Sequence, residues 1–451
     1  MDNTEKKILE YIESNKDNFI TFLQDLIRIP SLTGEEKEAQ VFVADELKKQ
    51  GYSVELFEPD VKELFDKYPE IAQIPSMWIP ELDMPIFTED TLKYSQLMES
   101  EFDKLKTYKD RPNVIGKLPG TGGGKSLILN GHIDVVTIGP KEKWAIDPWG
   151  AEIKDGKIFG RGSTDMKGGI VAMIKAMEAI LKTGIKLRGD VMLQSVVNEE
   201  HAGNGTLACI AKGYKADAVI TTEGTNAESV NTEGKGGVYY EVVIKGRETH
   251  TGARWKRDEK GVPYGISAIE KSIIVMQKLL EMEAELNKDG INMAFGIGQI
   301  KGGSYATSTA LECKFNGVAY FSPNLGTGQE GLIKIKKLLI DTVKNIDDPW
   351  LKENPAKILF NHYDDAYRLG ENGKEILETV MQAGKEILGK IEQRSSGAND
   401  SRHFINQANI PAVIFGPGYG VMAHSANEYV FIDSFIKSIK VLAIAIYRWC
   451  K

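Results

Sequence analysis

The chain has only six histidines, at positions 132, 201, 250, 362, 403 and 424, so the neighbours of each carry information. His132 stands in LILNGHIDVV, where an apolar run leads into Gly131-His132-Ile133-Asp134. With a period of two, His132 and Asp134 project from the same side of an extended end. A carboxylate so placed can hold the second ring nitrogen of a metal-ligating imidazole and fix its tautomer. A His–Asp hydrogen bond at a strand end, with no metal, accounts for the same pair. A second segment, GRGSTDMKGG over 160–169, sets Asp165 at a strand-to-helix transition after a glycine-rich turn. An N-cap explains an Asp there, but Ser163 or Thr164 caps equally well and leaves Asp165 free for other chemistry. The third, VVNEEHAGNG over 196–205, ends an apolar strand with Glu199 and Glu200, which is costly unless the acids are solvated or employed. The fourth, ITTEG over 220–224, ends a buried run on a lone acid, Glu223. The fifth, GYGVMAHSANEYV over 418–430, carries His424 in a loop before the last helix.

Together these segments supply two histidines and three or more carboxylates, mostly at strand ends, where α/β folds place their sites. Imidazole and carboxylate without thiolate suit zinc, manganese or cobalt. Two divalent ions would be neutralised by three carboxylates and one hydroxide. Metals ~3.5–4 Å apart are the usual arrangement for activating water and clamping a carbonyl.

Bringing such residues together takes strands that end at one place. NVIGKL from Asn113, SLILNGHIDVV, VMLQSVV over 191–197 and ADAVITTEG over 216–224 read as buried strands. Asp165–Thr183 reads as a helix, with Met166, Ile170, Met173, Ile174, Met177 and Ile180 at helical spacing. Strands alternating with helices argue for an α/β core with a mixed, partly parallel sheet. Upstream, 16–28 and 34–50 have helical periodicity, the second closed by Gly51, and Tyr52–Phe57 alternates like a strand. After about residue 230 the order becomes β-α-β-β-α-β, which describes a small α+β sandwich with helices on one face. A helix at 372–389 and IPAVIFGPG at 410–418 return to α/β character. The expected organisation is a large domain over 1–229 and 364–451, interrupted by a smaller one over 230–363. Prolines at 59, 69, 75, 80, 85 and 112 punctuate an excursion at about 60–111, whose Trp78, Ile79, Leu82, Ile86 and Phe87 are too apolar for a solvated linker. It reads as an ordered layer on the large domain, or as a wall of the site or a subunit contact.

Composition narrows the class. Hydrophobic content of 42% and charged content of 27% over 451 residues exclude a disordered chain, and 45 glycines without a fixed period exclude collagen. A net charge of −8 argues against nucleic acid as a partner. No run approaches the ~18 apolar residues of a membrane span. Cys209, Cys313 and Cys450 are odd in number and far apart, which suits a reducing compartment better than a disulfide framework. The opening MDNTEKKILEYIESN is too charged for a secretory apolar segment, so the expectation is a cytoplasmic protein.

The ordered set NGHIDVV, GRGSTDMKGG, VNEEHAGNG, TTEG and AHSANEY resembles the di-zinc aminoacylase and metallopeptidase family, which includes acetylornithine deacetylase, succinyl-diaminopimelate desuccinylase and carboxypeptidase G. The resemblance covers nearly the whole chain apart from roughly 60–110. It implies a large di-zinc catalytic domain with a mixed central sheet and an inserted ferredoxin-like lid through which the protein forms a homodimer. It implies two zinc ions per subunit, with cobalt or manganese as substitutes. In that pattern Asp165 bridges the metals, His132 and Glu223 complete one site, and Glu200 and His424 complete the other. Asp134 orients His132, and Glu199 is the general base. His250, in GRETHTGAR, matches a lid histidine that reaches the neighbouring subunit's substrate and polarises the scissile carbonyl. A cis peptide bond just after the bridging aspartate is also implied. Arg402, in SSGANDSRHF, matches a family arginine and is a candidate for binding a substrate carboxylate; an exposed helix arginine is the plain alternative. His201, His362 and His403 receive no role.

The chain departs from the family pattern in places. Asn198 stands where an aspartate commonly precedes the acid pair, and the segment from His250 to Gly265 is long. Val318-Ala319-Tyr320 replaces a common Asp-x-Arg, which clouds the substrate. The resemblance implies metal-dependent hydrolysis of the amide of a small N-acyl amino acid or related N-acyl amine, as in acetylornithine deacetylase. A dipeptidase or carboxypeptidase with the same metals is the nearest alternative, and a non-catalytic scaffold of the same fold the more distant one.

Overall fold

A computed structural model describes residues 1–73, 107–259 and 261–451. Most of the excursion expected at about 60–111 lies outside the described residues; the short helix Val61–Lys67 lies within them. The chain divides into two compact units, one running to Glu233 and resuming at Arg368, the other covering Gly234–Tyr367.

The first unit is built on a nine-stranded mixed sheet. Its centre consists of Val191–Val196, Leu127–His132, Ala218–Thr221 and Ala412–Ile414, each parallel to its neighbour. Leu127–His132 is buried at every position, as a strand covered on both faces must be. Asn113–Leu118 and Ser53–Phe57 extend the sheet antiparallel on one side. The parallel register pairs His132 with Val196 and Asn130 with Thr221. His132, the Glu199-Glu200 turn and Glu223 therefore emerge at one end of the sheet.

Helix Gly168–Lys182 packs across this sheet, and the C-terminal helix Ile432–Cys450 packs on it in turn. The apolar spacing predicts a helix from Asp165, yet the regular helix begins at Gly168. Asp165 has φ −132° and ψ 93°, outside helical space, and its peptide bond to Met166 is cis, as the family resemblance implies. Gly169 allows the helix to start where it does: a Cβ there would stand 1.9 Å from the carbonyl oxygen of Thr222. The first helix, expected over 16–28, spans Asn3–Ile27. A capping box starts it early, with the Asp2 side chain accepting from the Glu5 amide at 2.9 Å and the Glu5 side chain accepting from the Asp2 amide at 2.8 Å.

The second unit is a four-stranded antiparallel sheet in the order Ala294–Gly302, Glu312–Phe321, Gly236–Lys245, Lys357–Asp364. Helices Ala268–Lys288 and Gly328–Lys344 pack on it, giving the ferredoxin-like β-α-β-β-α-β order. Helix Ala268–Lys288 buries Ala268, Ser272, Val275, Leu279 and Met282, one stripe at three- and four-residue spacing. Among the described residues no helix is long and apolar enough to cross a membrane.

Candidate metal centre

Six of the residues singled out from the sequence converge at the sheet end. His132 Nε2 lies 3.1 Å from Asp165 Oδ1, 3.3 Å from Glu223 Oε1 and 3.8 Å from Glu199 Oε2. His424 Nε2 lies 2.9 Å from Glu200 Oε2 and 3.4 Å from Asp165 Oδ2. Asp165 thus turns one oxygen toward each imidazole. Donor atoms of His132, Asp165 and Glu200 all fall within 4.8 Å of one another. The strand ends position His132 and Glu223, the turn after Val196 positions the glutamate pair, and an exposed loop with φ +61° at His424 brings in the second ring.

The ring of His132 is held from behind. Its Nδ1 lies 2.9 Å from the backbone carbonyl of Asp134 and 3.6 Å from that residue's carboxylate. The carbonyl is the near partner, so Nδ1 donates to it and Nε2 is the nitrogen turned toward the cluster. The Asp134 carboxylate, beside the ring, has three further donors. It accepts the amides of Glu199 at 3.1 Å and Glu200 at 3.3 Å, and the hydroxyl of Thr33 at 2.8 Å.

The electrostatics follow from packing four carboxylates around two imidazoles. Burial disfavours a charged His132, but Asp134, Asp165 and Glu223 outweigh it and raise its pKa well above the ordinary value. Asp165 and Glu200 raise His424 to about 11. Burial, reinforced by the charges of Asp400, Glu223 and Glu200, pushes Glu199 well above the usual carboxylate range against the pull of His132. Burial and the charge of Asp165 take Glu200 to about 7. Asp165 moves the other way: hydrogen bonds from His132 and His424 overcome its burial. The clustered acids favour positive charge on both rings, and a divalent cation in place of the Nε2 protons would balance the same acids with more charge. Glu200 Oε1 is buried with no hydrogen-bond partner. Oxygen and imidazole nitrogen without sulfur form a set that fits two divalent ions of the zinc, manganese or cobalt type.

The cluster opens into a cavity of about 230 Å³, whose other walls include Gly224, Ser396, Gly397, Ala398, Asn399 and Ala423. A larger cavity of about 370 Å³ in the same unit is lined without histidine, by side chains such as Lys390, Glu392, Arg394 and Asp433. Only the smaller one has the donor set.

Two further site residues expected from the sequence have partners of their own. Arg402 is 2% exposed, and its Nη2 donates to the carbonyl of Ala202 at 3.2 Å. It is not an exposed helix arginine, because the short helix Ser401–Asn406 buries it. His250 belongs to the second unit, where it precedes the single turn Thr251–Ala253 and accepts the Gly252 amide on Nδ1 at 3.1 Å. The sequence reading overlooked Asp400. It is buried and raised to about 6 by that burial, with Oδ2 accepting the Thr206 hydroxyl at 2.6 Å, and its charge acts on Glu199. Its signal in the sequence is an acid two residues before Arg402 in SSGANDSRHF.

Comparison with known proteins identifies the family. The family described as peptidase family M20/M25/M40 matches residues 128–448. An N-formyl-4-amino-5-aminomethyl-2-methylpyrimidine deformylase from Bacillus subtilis is 33% identical over 374 residues, covering 77% of this chain and 85% of the relative. A deformylase of the same name from Halalkalibacterium halodurans is 31% identical over 382 residues, covering 79% of this chain and 87% of the relative. The crystal structure of a tripeptidase from Staphylococcus aureus has a similar fold, with a TM-score of 0.66 at 20% identity over 95% of this chain and 97% of the other.

Proposed function

The chain belongs to peptidase family M20/M25/M40, and from that premise we propose that the cluster around Asp165 hydrolyses the amide bond of a small N-acyl amine. The observation that carries this is the convergence of His132, Asp165, Glu200, Glu223 and His424 on one another, with Glu199 beside them and a cavity lined by the five of these six other than His132. His132 and Glu223 would hold one divalent ion, Glu200 and His424 the other, and Asp165 would give an oxygen to each. Zinc is the expected metal, with cobalt or manganese as substitutes. Two such ions, when bound, lower the pKa of water and polarise the acyl carbonyl.

The remaining chemistry falls to the protein. Glu199 takes the proton that the attacking water loses as its oxygen bonds to the acyl carbon. It then passes that proton to the nitrogen as the C–N bond breaks, so a carboxylic acid and a free amine leave and the carboxylate is restored. Its burial supports a base stronger than an ordinary glutamate. Asp134 holds the backbone from which Glu199 projects.

For the substrate we favour a formamide of a small amine without a carboxylate, of the aminopyrimidine kind in the names of the two deformylases. The cavity supports this. Its described lining contains no lysine or arginine to meet a carboxylate, and most of its neutral residues are Gly, Ala or Ser.

We further propose a homodimer in which His250 acts on the neighbouring subunit's substrate. In the second unit, helix Ala268–Lys288 exposes Ile269, Ile273 and Leu280, and strand Ala294–Gly302 exposes Ile300. Among the described residues that strand pairs on one side only, leaving an edge that a second copy could cover. Three buried free cysteines support a cytoplasmic setting.

Metal analysis with turnover of formyl, acetyl and succinyl amides alongside dipeptides tests the proposal. The expected result is about two zinc equivalents per chain and the highest kcat/KM on formamides. Preference for dipeptides would favour a peptidase, and no metal with no turnover would favour a scaffold.

A further inference from the structure

The segment AHSANEY brings His424 to the cluster, and four positions on it carries a second ionisable residue, Glu428. Glu428 is 0% exposed. Its Oε2 receives Nη1 of Arg161 at 2.5 Å. Its Oε1 accepts two backbone amides, that of Thr164 at 2.9 Å and that of Asp165 at 3.1 Å. Its own carbonyl accepts the Gly160 amide at 2.9 Å. The next residue continues the tie, since the Thr164 hydroxyl donates to the Tyr429 carbonyl at 2.8 Å. Arg161 is itself 2% exposed and donates a second bond, from Nη2 to the Thr137 carbonyl at 3.1 Å.

A buried ion pair is weak evidence for stability, because apolar residues of similar volume often serve as well. A carboxylate can do something they cannot, which is to accept two converging N–H groups at one oxygen. Asp165 lies outside helical φ/ψ, so its amide and that of Thr164 find their acceptor in a side chain. The same amides set the plane from which the Asp165 side chain departs. That side chain has to divide its oxygens between two directions, Oδ1 toward His132 at 3.1 Å and Oδ2 toward His424 at 3.4 Å. A small rotation of this backbone would carry both oxygens away from their partners. Arg161 balances the charge of Glu428, so the acid holds the amides without an unpaired buried charge beside the cluster.

We propose that Glu428, backed by Arg161, is a positioning residue for the metal centre: it fixes the backbone of Asp165 so that one carboxylate can face two ions. This rests on the two-ion assignment of the cluster made above. Glu428 acts through Asp165 and touches no reacting atom, so its signature belongs to metal affinity and not to substrate affinity.

The test compares wild type, Glu428→Gln and Arg161→Lys. Each is stripped by dialysis against a chelator, confirmed folded by circular dichroism, and titrated with zinc in a chelator-buffered series while bound zinc per chain is measured. Gln keeps one oxygen for the amides but turns an NH2 toward Arg161, donor against donor. Lys keeps the charge and loses the fork. Half-loading should need about 10–100-fold more free zinc in Glu428→Gln, the range typical when an outer partner of a ligand is replaced, and severalfold more in Arg161→Lys. Excess zinc should restore kcat while KM stays at the wild-type value. A purely structural role would lower the melting temperature of the stripped protein and leave the zinc titration of folded protein unchanged. Titrations that superimpose on wild type overturn the proposal, and if Glu428→Gln does not fold, Arg161→Lys decides it by the same reading. Failure of wild type to bind zinc would instead defeat the two-ion assignment.

Discussion

The carboxylate of Asp134 accepts the backbone amide of Glu199 at 3.1 Å, while the ring of His132 rests on the Asp134 carbonyl at 2.9 Å. One residue therefore holds a candidate metal ligand through its backbone and the candidate base through its side chain. Asp134→Asn removes one of two acceptor oxygens but leaves the carbonyl in place. We expect kcat to fall about 10–100-fold, as for other outer-shell replacements, with zinc content near wild type. A zinc loss as large as that of His132→Ala would show that the carboxylate, not the carbonyl, orients the ring.

Glu199→Gln should separate catalysis from metal binding. The proton carrier is lost and no assigned ligand is removed, so both metals should remain while kcat drops by about 10²–10⁴, the usual contribution of a general base. His424→Ala should give the converse, lowering bound zinc toward one equivalent. Near-native turnover in Glu199→Gln would refute the assignment of the base.

The assembly prediction concerns His250. If it acts on the neighbouring subunit's substrate, His250→Ala and Glu199→Gln homodimers should each be nearly inactive. A mixed dimer of the two should regain part of the activity, because one of its sites then has an intact Glu199 and an intact His250. Verified hybrids with no recovery would confine His250 to its own subunit.

Gly169→Ala probes the close approach behind Glu223. The added Cβ would sit 1.9 Å from the Thr222 carbonyl oxygen, so the helix start or the strand end must move. Overpacking of this kind costs ~1–3 kcal/mol, occasionally more. Thermal melting should report that loss, and bound zinc should fall with it because Glu223 follows Thr222. A melting temperature equal to wild type would mean the helix shifts freely.

Acid stability should depend on Glu5. Burial alone would raise its pKa, but Arg448 Nε at 2.7 Å and the Asp2 amide outweigh it, so the folded value lies below the ordinary one. A depressed carboxylate contributes stability in full above its unfolded pKa of ~4.3, and loses it as pH falls through the lower folded value. The gap in melting temperature between wild type and Glu5→Gln should be widest near neutrality and close as pH drops below ~4. A gap independent of pH would remove the ion pair as its cause.

Much of the centre was legible in the chain itself. His132, Glu199 and Glu223 each follow an apolar run, and strands buried on both faces need such runs whatever their neighbours are. Acids and a histidine at the ends of three such runs meet once those strands lie parallel, as Leu127–His132 does with both Val191–Val196 and Ala218–Thr221. The inserted β-α-β-β-α-β unit was equally readable, because its helices carry one apolar stripe and its strands alternate. Local periodicity and capping are short-range properties, and a sequence displays them directly.

What depended on distant partners was not displayed. The helical spacing ran back to Asp165, yet the helix begins at Gly168, since the amide of Asp165 bonds to Glu428, 263 residues away. Arg402 has a plain reading as an exposed helix arginine, and it is the fold that buries it, with Nη2 donating to the Ala202 carbonyl 200 residues away. Asp134 reads in the sequence as a partner of the His132 ring, and its carboxylate also accepts from three donors, in Thr33 and the Glu199-Glu200 turn, that the sequence does not show. In each case several partners were chemically acceptable. The tertiary fold chose among them by deciding which lay within about 3 Å, the reach of a hydrogen bond.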